Sequence, residues 1–169
     1  GHTVDGLCFV LGEARELGAM TAVLRPEVRL IGTDRTVRKT TPDQVLVTAR
    51  LDGGVMLAAH FRGGKSAGDA LHWQIDGTEG TIIVTAPVSS LQLAPPTIRA
   101  ALRGESALRP LPVPASYVRA DPALAPAAAS VAEALISMEQ DLRTGSRSAP
   151  TLDHAVFRKE MLAAIRTAA

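Results

Sequence analysis

His2 and Asp5 stand three residues apart at the mouth of an apolar stretch, GHTVDGLCFVLGE over residues 1–13. Within it Val4, Leu7, Cys8 and Leu11 recur at the spacing of one buried helical face. Residues three apart on a helix project from nearly the same side. An imidazole beside a carboxylate is a pair that can hydrogen-bond a substrate hydroxyl and relay its proton. The same two residues have a plainer use as helix-start groups, with Asp5 favoured by the positive end of the helix dipole. On spacing alone, capping accounts for both.

Other chemistry-bearing strings carry less. Gly64-Lys65-Ser66 ends like a phosphate-binding loop, but the full spacing requires a Gly where Ala59 stands and a helix directly after. Gly64-Lys65-Ser66-Ala67-Gly68 also fits G-x-S-x-G, with Asp76 and His154 following in hydrolase order. A nucleophile elbow needs a helix after its turn, and Leu71 to Ile75 alternates like a strand, so a hydrolase ranks third among the readings. None of His2, His60, His72 and His154 has a partner at metal-ligand spacing, and no metal site is expected. His60 and His72 are expected on the solvent or interface side of a sheet. Arg62 and Lys65, at a glycine-rich tip, are read as solvated, with contact to an acidic substrate as the alternative.

These residues sit in a chain of 169, with room for one domain and its core. Lys and Arg total 18 against 17 Asp and Glu, so no net field draws the chain to nucleic acid or an anionic membrane. Aromatics at 3% leave few stacking platforms for bases. No apolar run has the length of a membrane span, and the first residues lack the basic start of a signal peptide. The single Cys8 cannot form an internal disulfide, which fits a reducing cytoplasm.

The elements that must position the site read as follows. A first helix covers about Thr3 to Leu11 and stops at Gly12. Gly18 to Leu24 and Glu27 to Ile31 read as strands, and 32–43 as a polar loop. Gln44 to Leu51 alternates, with Val45, Val47, Ala49 and Leu51 on one side. Asp52-Gly53-Gly54 turns it into Val55 to Phe61. Leu71 to Ile75, a turn over 76–80 and Thr81 to Thr85 complete an antiparallel meander, with an outlying strand near Ser90 to Leu93. From Pro95 to Pro126 the Pro- and Ala-rich sequence predicts an extended surface excursion. A helix then runs to about Arg143, capped by Gly145, with Val131, Leu135, Met138 and Leu142 facing the core. Thr151 is placed to cap a last helix that buries Phe157, Met161, Ala164 and Ile165. This order predicts an α+β fold: two layers, a mostly antiparallel open sheet with its helices packed on one face.

Four segments taken together resemble a known family. They are GHTVDGLCFVLGE (1–13), TPDQVLVTARLDGGVMLAAHFRGG (41–64), LHWQIDGTEGTIIV (71–84) and HAVFRKEMLAAIRTA (154–168). In that order they resemble the C-terminal domain of the glucose–fructose oxidoreductase / inositol dehydrogenase / MocA (Gfo/Idh/MocA) family, in the branch related to the yeast galactose-regulon repressor. The resemblance implies that residues 1–169 are a single C-terminal substrate-binding and dimerisation domain. A preceding Rossmann domain, absent from this chain, would hold NAD or NADP and the catalytic Lys. A chain that starts on its core helix without an initiator Met agrees with that expectation.

The family's activity implies hydride transfer between a nicotinamide and a sugar, polyol or related hydroxylated molecule by the full-length, cytoplasmic protein. This chain alone is expected to bind no cofactor and to be inactive. Dimerisation is expected through the open sheet face, with no nucleic-acid or membrane partner. Asp5 matches the family's Asp, whereas the His that follows it by four residues falls on Phe9. His2 and Asp5 are therefore the expected catalytic residues, with His154 as a substrate-binding residue or, equally, a capping group at the start of the last helix. A ligand-sensing regulator of the same fold, without turnover, is the alternative.

Overall fold

The computed structural model describes residues 1–64 and 67–169. In chain order the elements are α1 (His2–Leu11), β1 (Ala14–Ala22), β2 (Glu27–Arg29), β3 (Thr36–Arg38), β4 (Gln44–Leu51), β5 (Met56–Arg62), β6 (Leu71–Gly77), β7 (Gly80–Ala86), β8 (Thr97–Leu102), β9 (Arg109–Pro110), α2 (Pro126–Thr144) and α3 (Leu152–Thr167). The fold is α+β with antiparallel sheets, as the pattern predicts. The described residues divide into two compact units, residues 1–64 with Leu152–Ala169, and residues 67–151.

In the first unit β1, β4 and β5 form a sheet in the order β1-β4-β5. Leu17 pairs with Ala49, Ala19 with Val47, and Val47 with Ala59, so apolar side chains line one face. Val4 and Cys8 from α1 and Met161 and Ile165 from α3 close over Val47 on that face. This is the helix-covered face that the alternation of Gln44 to Leu51 predicts. The opposite face carries Met20, Leu46 and His60 in one row and Gly18, Thr48 and Ala58 in the next, with Met20 and Leu46 exposed. Between β1 and β4 the strand expected from Glu27 is present as β2, and it pairs through Val28 and Val37 with β3, which lies inside the segment read as a loop. Buried Asp43 fastens the base of this ribbon, accepting from Leu24 N, Arg25 N and the Lys39 ammonium.

The second unit holds β6-β7-β8-β9 and α2. Its small core is Leu71, Val84 and Ala86, with Trp73, Leu91 and Ile98 against it. The strands expected as one continuous meander thus belong to two sheets, with β5 in one and β6 in the other. Two further expectations fail here. Ser90 to Leu93 is a turn, and the neighbouring strand is β8, inside the segment read as a surface excursion. The prolines on either side of Thr97–Leu102 mask a short strand. Pro110 itself sits on the edge strand β9, where its missing N–H costs no ladder bond.

The helices correct the reading of their faces. In α1, Val4, Leu7 and Cys8 are buried as expected, and Gly12 ends the helix at φ 95°. A Cβ on Gly12 would stand 2.9 Å from the Asp52 Cβ, so the turn into β1 requires glycine. In α3, Met161 and Ile165 are buried, but Phe157 and Ala164 are exposed and Arg158 takes the buried position. In α2 the whole Val131, Leu135, Met138, Leu142 stripe is exposed. Glu133 decides this. Its carboxylate accepts from the backbone N–H groups of Arg119 and Ala120 and from Arg119 Nε, anchoring the opposite side of the helix. Gly145 caps α2 in the left-handed conformation, as expected.

Candidate functional site

The site is assembled where the first turn of α1 meets α3. His154 and Arg158 are four apart on α3 and so share a side of it. Asp5 reaches both: His154 Nε2 lies 2.8 Å from Asp5 Oδ1, and Arg158 Nε donates to the same oxygen at 2.9 Å. An ionised carboxylate only accepts, so His154 presents its Nε2–H to Asp5. The Arg158 guanidinium continues inward, donating through Nη2 to Glu13 Oε1 at 2.7 Å and through Nη1 to the Met161 sulfur at 2.9 Å. Glu13 is brought there by the turn at Gly12 and held by Asp52, whose Oδ2 accepts from Glu13 N. Its own Oε2 is buried with no hydrogen-bond partner among the described residues.

The network is graded from inside to outside. The Arg158 side chain is 8% exposed, whereas Asp5 retains 43% of its surface. Burial raises the Asp5 pKa, but the hydrogen bonds from His154 and Arg158 and their charges outweigh it and hold the carboxyl below its ordinary value. Burial also works against the Arg158 charge, yet its bonds to Glu13 and Asp5 prevail and raise its pKa. Desolvation pushes the buried Cys8 thiol up, so it is a protonated, unreactive group. At pH 7 Asp5 is therefore an ionised, oriented acceptor. Oδ1 takes both protein bonds, and Oδ2 takes none among the described residues.

Of the residues singled out in the sequence, Asp5 and His154 are brought together. His2, at the first position of α1, is exposed, and its side chain makes no hydrogen bond or ion pair among the described residues. Phe9 lies one turn beyond Asp5 on the same helix and is 88% exposed. His60 is exposed and bonds Gln44, His72 is exposed on β6, and Arg62 is exposed at the end of β5. Asp76 is occupied by Gln74 and Thr81, on a strand rather than after a nucleophile elbow. Lys65 and Ser66 lie outside the described residues. Arg158 and Glu13 were missed. The available signal was a polar pair, His154 and Arg158, in register with Met161 and Ile165 on one helical stripe.

A family model described as Gal80p, C-terminal domain (Gal80p C-terminal-like) matches residues 1–86, from α1 through β7. The chain belongs to this family. The match bears out the sequence resemblance, and it includes Asp5 and Glu13 but not His154 and Arg158. No curated protein matches the sequence. Among solved structures, a super-repressor mutant of Gal80p from Saccharomyces cerevisiae superposes with TM-score 0.77 at 18% identity, over 99% of this chain and 45% of that one. The transcriptional regulator Gal80p from Kluyveromyces lactis gives 0.72 at 19%, over 99% and 41%. Levoglucosan dehydrogenase, in complex with NADH and L-sorbose, gives 0.54 at 18%, over 68% and 31%. At these identities the likeness is one of fold, and the chain spans less than half the length of each structure.

The described residues do not fit a dinucleotide. Every strand pair among them is antiparallel, and the sequence has no G-x-G-x-x-G, so no parallel βαβ turn aims a helix N-terminus at a pyrophosphate. No group of three or more His, Cys, Asp or Glu among the described residues could hold a metal, and no described helix is long and apolar enough to cross a membrane.

Proposed function

We propose that this chain is the substrate-binding and oligomerisation domain of a cytoplasmic NAD(P)-dependent oxidoreductase that acts on a sugar, polyol or related small hydroxylated molecule. NAD(P) would be carried by an N-terminal Rossmann domain outside this chain. The observation that carries the reading is the Asp5 carboxylate. It is ionised, oriented by His154 and Arg158, and still open at Oδ2. Such an acceptor binds and orients a substrate hydroxyl at little reorganisation cost. His154 fixes the carboxylate from the side, and Arg158 fixes it from beneath. His2, at the exposed start of the helix, would position the substrate or relay a proton. The bare outer face of the β1-β4-β5 sheet, with Met20 and Leu46, is the proposed homodimer surface.

A second reading, a ligand sensor of the same fold without turnover, has its own support. The Asp5 pKa is shifted down, away from that of a general base at pH 7, and Phe9 cannot exchange a proton. Two of the similar structures are of Gal80p, one described as a transcriptional regulator. Turnover separates the readings. Full-length protein assayed with NAD and NADP against a panel of sugars and polyols is expected to reduce cofactor, and Asp5→Asn to lower kcat/KM by tenfold or more, on the order of 1.4 kcal/mol. Sugar binding without turnover selects the sensor, and unchanged kinetics in Asp5→Asn remove Asp5 from the site. Sedimentation of wild type against Met20→Asp tests the dimer face, with dissociation expected in the variant.

A further inference from the structure

We infer that α2 pairs with α2 of a second copy of this chain, antiparallel, through Val131, Leu135, Met138 and Leu142. This contact is separate from the sheet face and from the Asp5 site, and it rests on neither.

The helix lacks the cover that helices ordinarily have. None of its 19 residues is buried, and the four apolar side chains of its stripe are each more than half exposed. Most helical stability in proteins comes from packing an apolar face, not from propensity. In α2 it is the polar side that is tied down. Glu133 accepts from Arg119 N and Ala120 N, and Asp141 accepts from Ser148 N and Ala149 N. These bonds hold the apolar stripe away from the rest of its unit.

The spacing of the stripe selects another helix as its cover. The steps from 131 to 135, 138 and 142 are four, three and four, a repeat of 3.5 residues. Such a repeat is the seam of paired helices, narrower than the stripe a helix lays on a core. Among the described residues no other helix offers a matching seam. The exposed Phe9 and Val10 of α1 are adjacent in sequence, and on α3 the step from Leu152 to Val156 is continued by Lys159. The matching seam is α2 itself, in a second copy.

Size and charge set the direction. With a two-fold axis midway between Leu135 and Met138, Leu135 meets the partner's Met138 and Val131 meets the partner's Leu142. All four residues are used, and the shortest side chain faces a longer one. Beside the seam, charge stands only toward the C-terminal end, at Glu139 and Asp141, with Ala127, Ala132 and Ala134 beside the rest. An antiparallel pair lays each acid against alanine. A parallel pair would gather four carboxylates at one end, where like charges repel. The seam is only about 17 Å long, below what holds a permanent dimer, so pairing is expected at roughly 100 μM protein. In the dilute samples of an unfolding experiment α2 stands alone.

The test uses the full-length protein and paired cysteines. Val131→Cys and Leu142→Cys, mixed at that concentration and oxidised, should form a disulfide between the two variants. Each variant alone should form none, because like positions lie about 17 Å apart along the antiparallel pair. Cys8 is buried and does not compete. Leu135→Glu should weaken the association at least tenfold by sedimentation equilibrium, with Tm unchanged because the residue supports no core. Met20→Asp, on the sheet face, should leave the crosslink intact, so the two contacts are read separately. Absence of the mixed disulfide, as when a domain outside this chain covers the stripe, overturns the inference. So does crosslinking of Val131→Cys with itself, which marks a parallel pair.

Discussion

Helices α2 and α3 both place apolar residues at intervals of three and four, and they use them in opposite ways. In α3, Met161 and Ile165 are core, and the charged residue in register with them, Arg158, is buried too. In α2, Val131, Leu135, Met138 and Leu142 are all more than half exposed. Hydrophobic periodicity is stronger in α2, whose stripe is exposed, than in α3, so it does not choose the side. The polar anchors do. Arg158 sits within about 60° of Met161 round the helix and points to Asp5 and Glu13, so satisfying it buries the stripe. Glu133 stands two residues from both Val131 and Leu135, about 200° round from each. Bonding it to Arg119 and Ala120 therefore turns the stripe outward.

The sharpest way to break the comparison is to shorten one side chain on each stripe. Ile165→Ala removes a buried branched chain from the cluster around Val4 and Val47 and is expected to cost about 3 kcal/mol. Chemical denaturation with an unchanged m-value would measure it. A loss under 1 kcal/mol would mean that α3 does not hold the first unit together.

Arg158→Ala comes next, at about 2 kcal/mol. Removing one partner of a buried ion pair commonly costs about 3–5 kcal/mol. Here Asp5 is partly exposed and water recovers some of it. Arg158→Lys should recover only part of the loss, because an ammonium lacks the fork that bonds Asp5, Glu13 and Met161 together. The Asp5 carboxyl would then move back toward its ordinary value, which a pH titration by NMR detects.

That network shows how far the sequence could be read. Strand alternation in Gln44–Leu51, the Gly53-Gly54 turn and the Gly12 stop depend on neighbouring residues, and all were legible. Asp5 was legible from its place at a helix start, and His154 from its place near another. Their hydrogen bond, across 149 residues, was not. Arg158 was missed because a lone Arg in a helix is ordinarily solvated, and only the packing of α3 on α1 reveals its two acceptors. Strand β8 was missed for a different reason: local proline signals outweighed six residues of extended pattern.

Acid should weaken both kinds of anchor, because Glu133 too is held below its ordinary value, chiefly by the backbone N–H groups of Ala120 and Arg119. Asp5 and, more strongly, Asp43 have folded pKa values below their ordinary ones. For Asp43 the largest cause is the hydrogen bond from the Lys39 ammonium. A depressed carboxylate contributes stability that is fully present above its unfolded pKa of about 4, and loses it as the pH falls through the folded value. The first unit is thus expected to lose stability steadily below about pH 4. Asp43→Asn should flatten that decline, followed by urea midpoints at successive pH values. A slope unchanged by the substitution would place the acid sensitivity elsewhere.

The smallest effect completes the pair with Ile165. Leu135 is 60% exposed on the outward stripe of α2, so Leu135→Ala gives up little buried surface. Alanine also has the higher helix propensity. The expected change is within about 0.5 kcal/mol of zero, against about 3 for the branched chain at 165. If Leu135→Ala instead cost as much as Ile165→Ala, the stripe would be buried in solution and Glu133 would not be the residue that orients the helix. Glu133→Gln supplies the independent check. With the stripe turned outward by that carboxylate, the substitution should strip hydrogen-exchange protection from α2 while leaving α3 protected, because the two helices take their orientation from separate anchors.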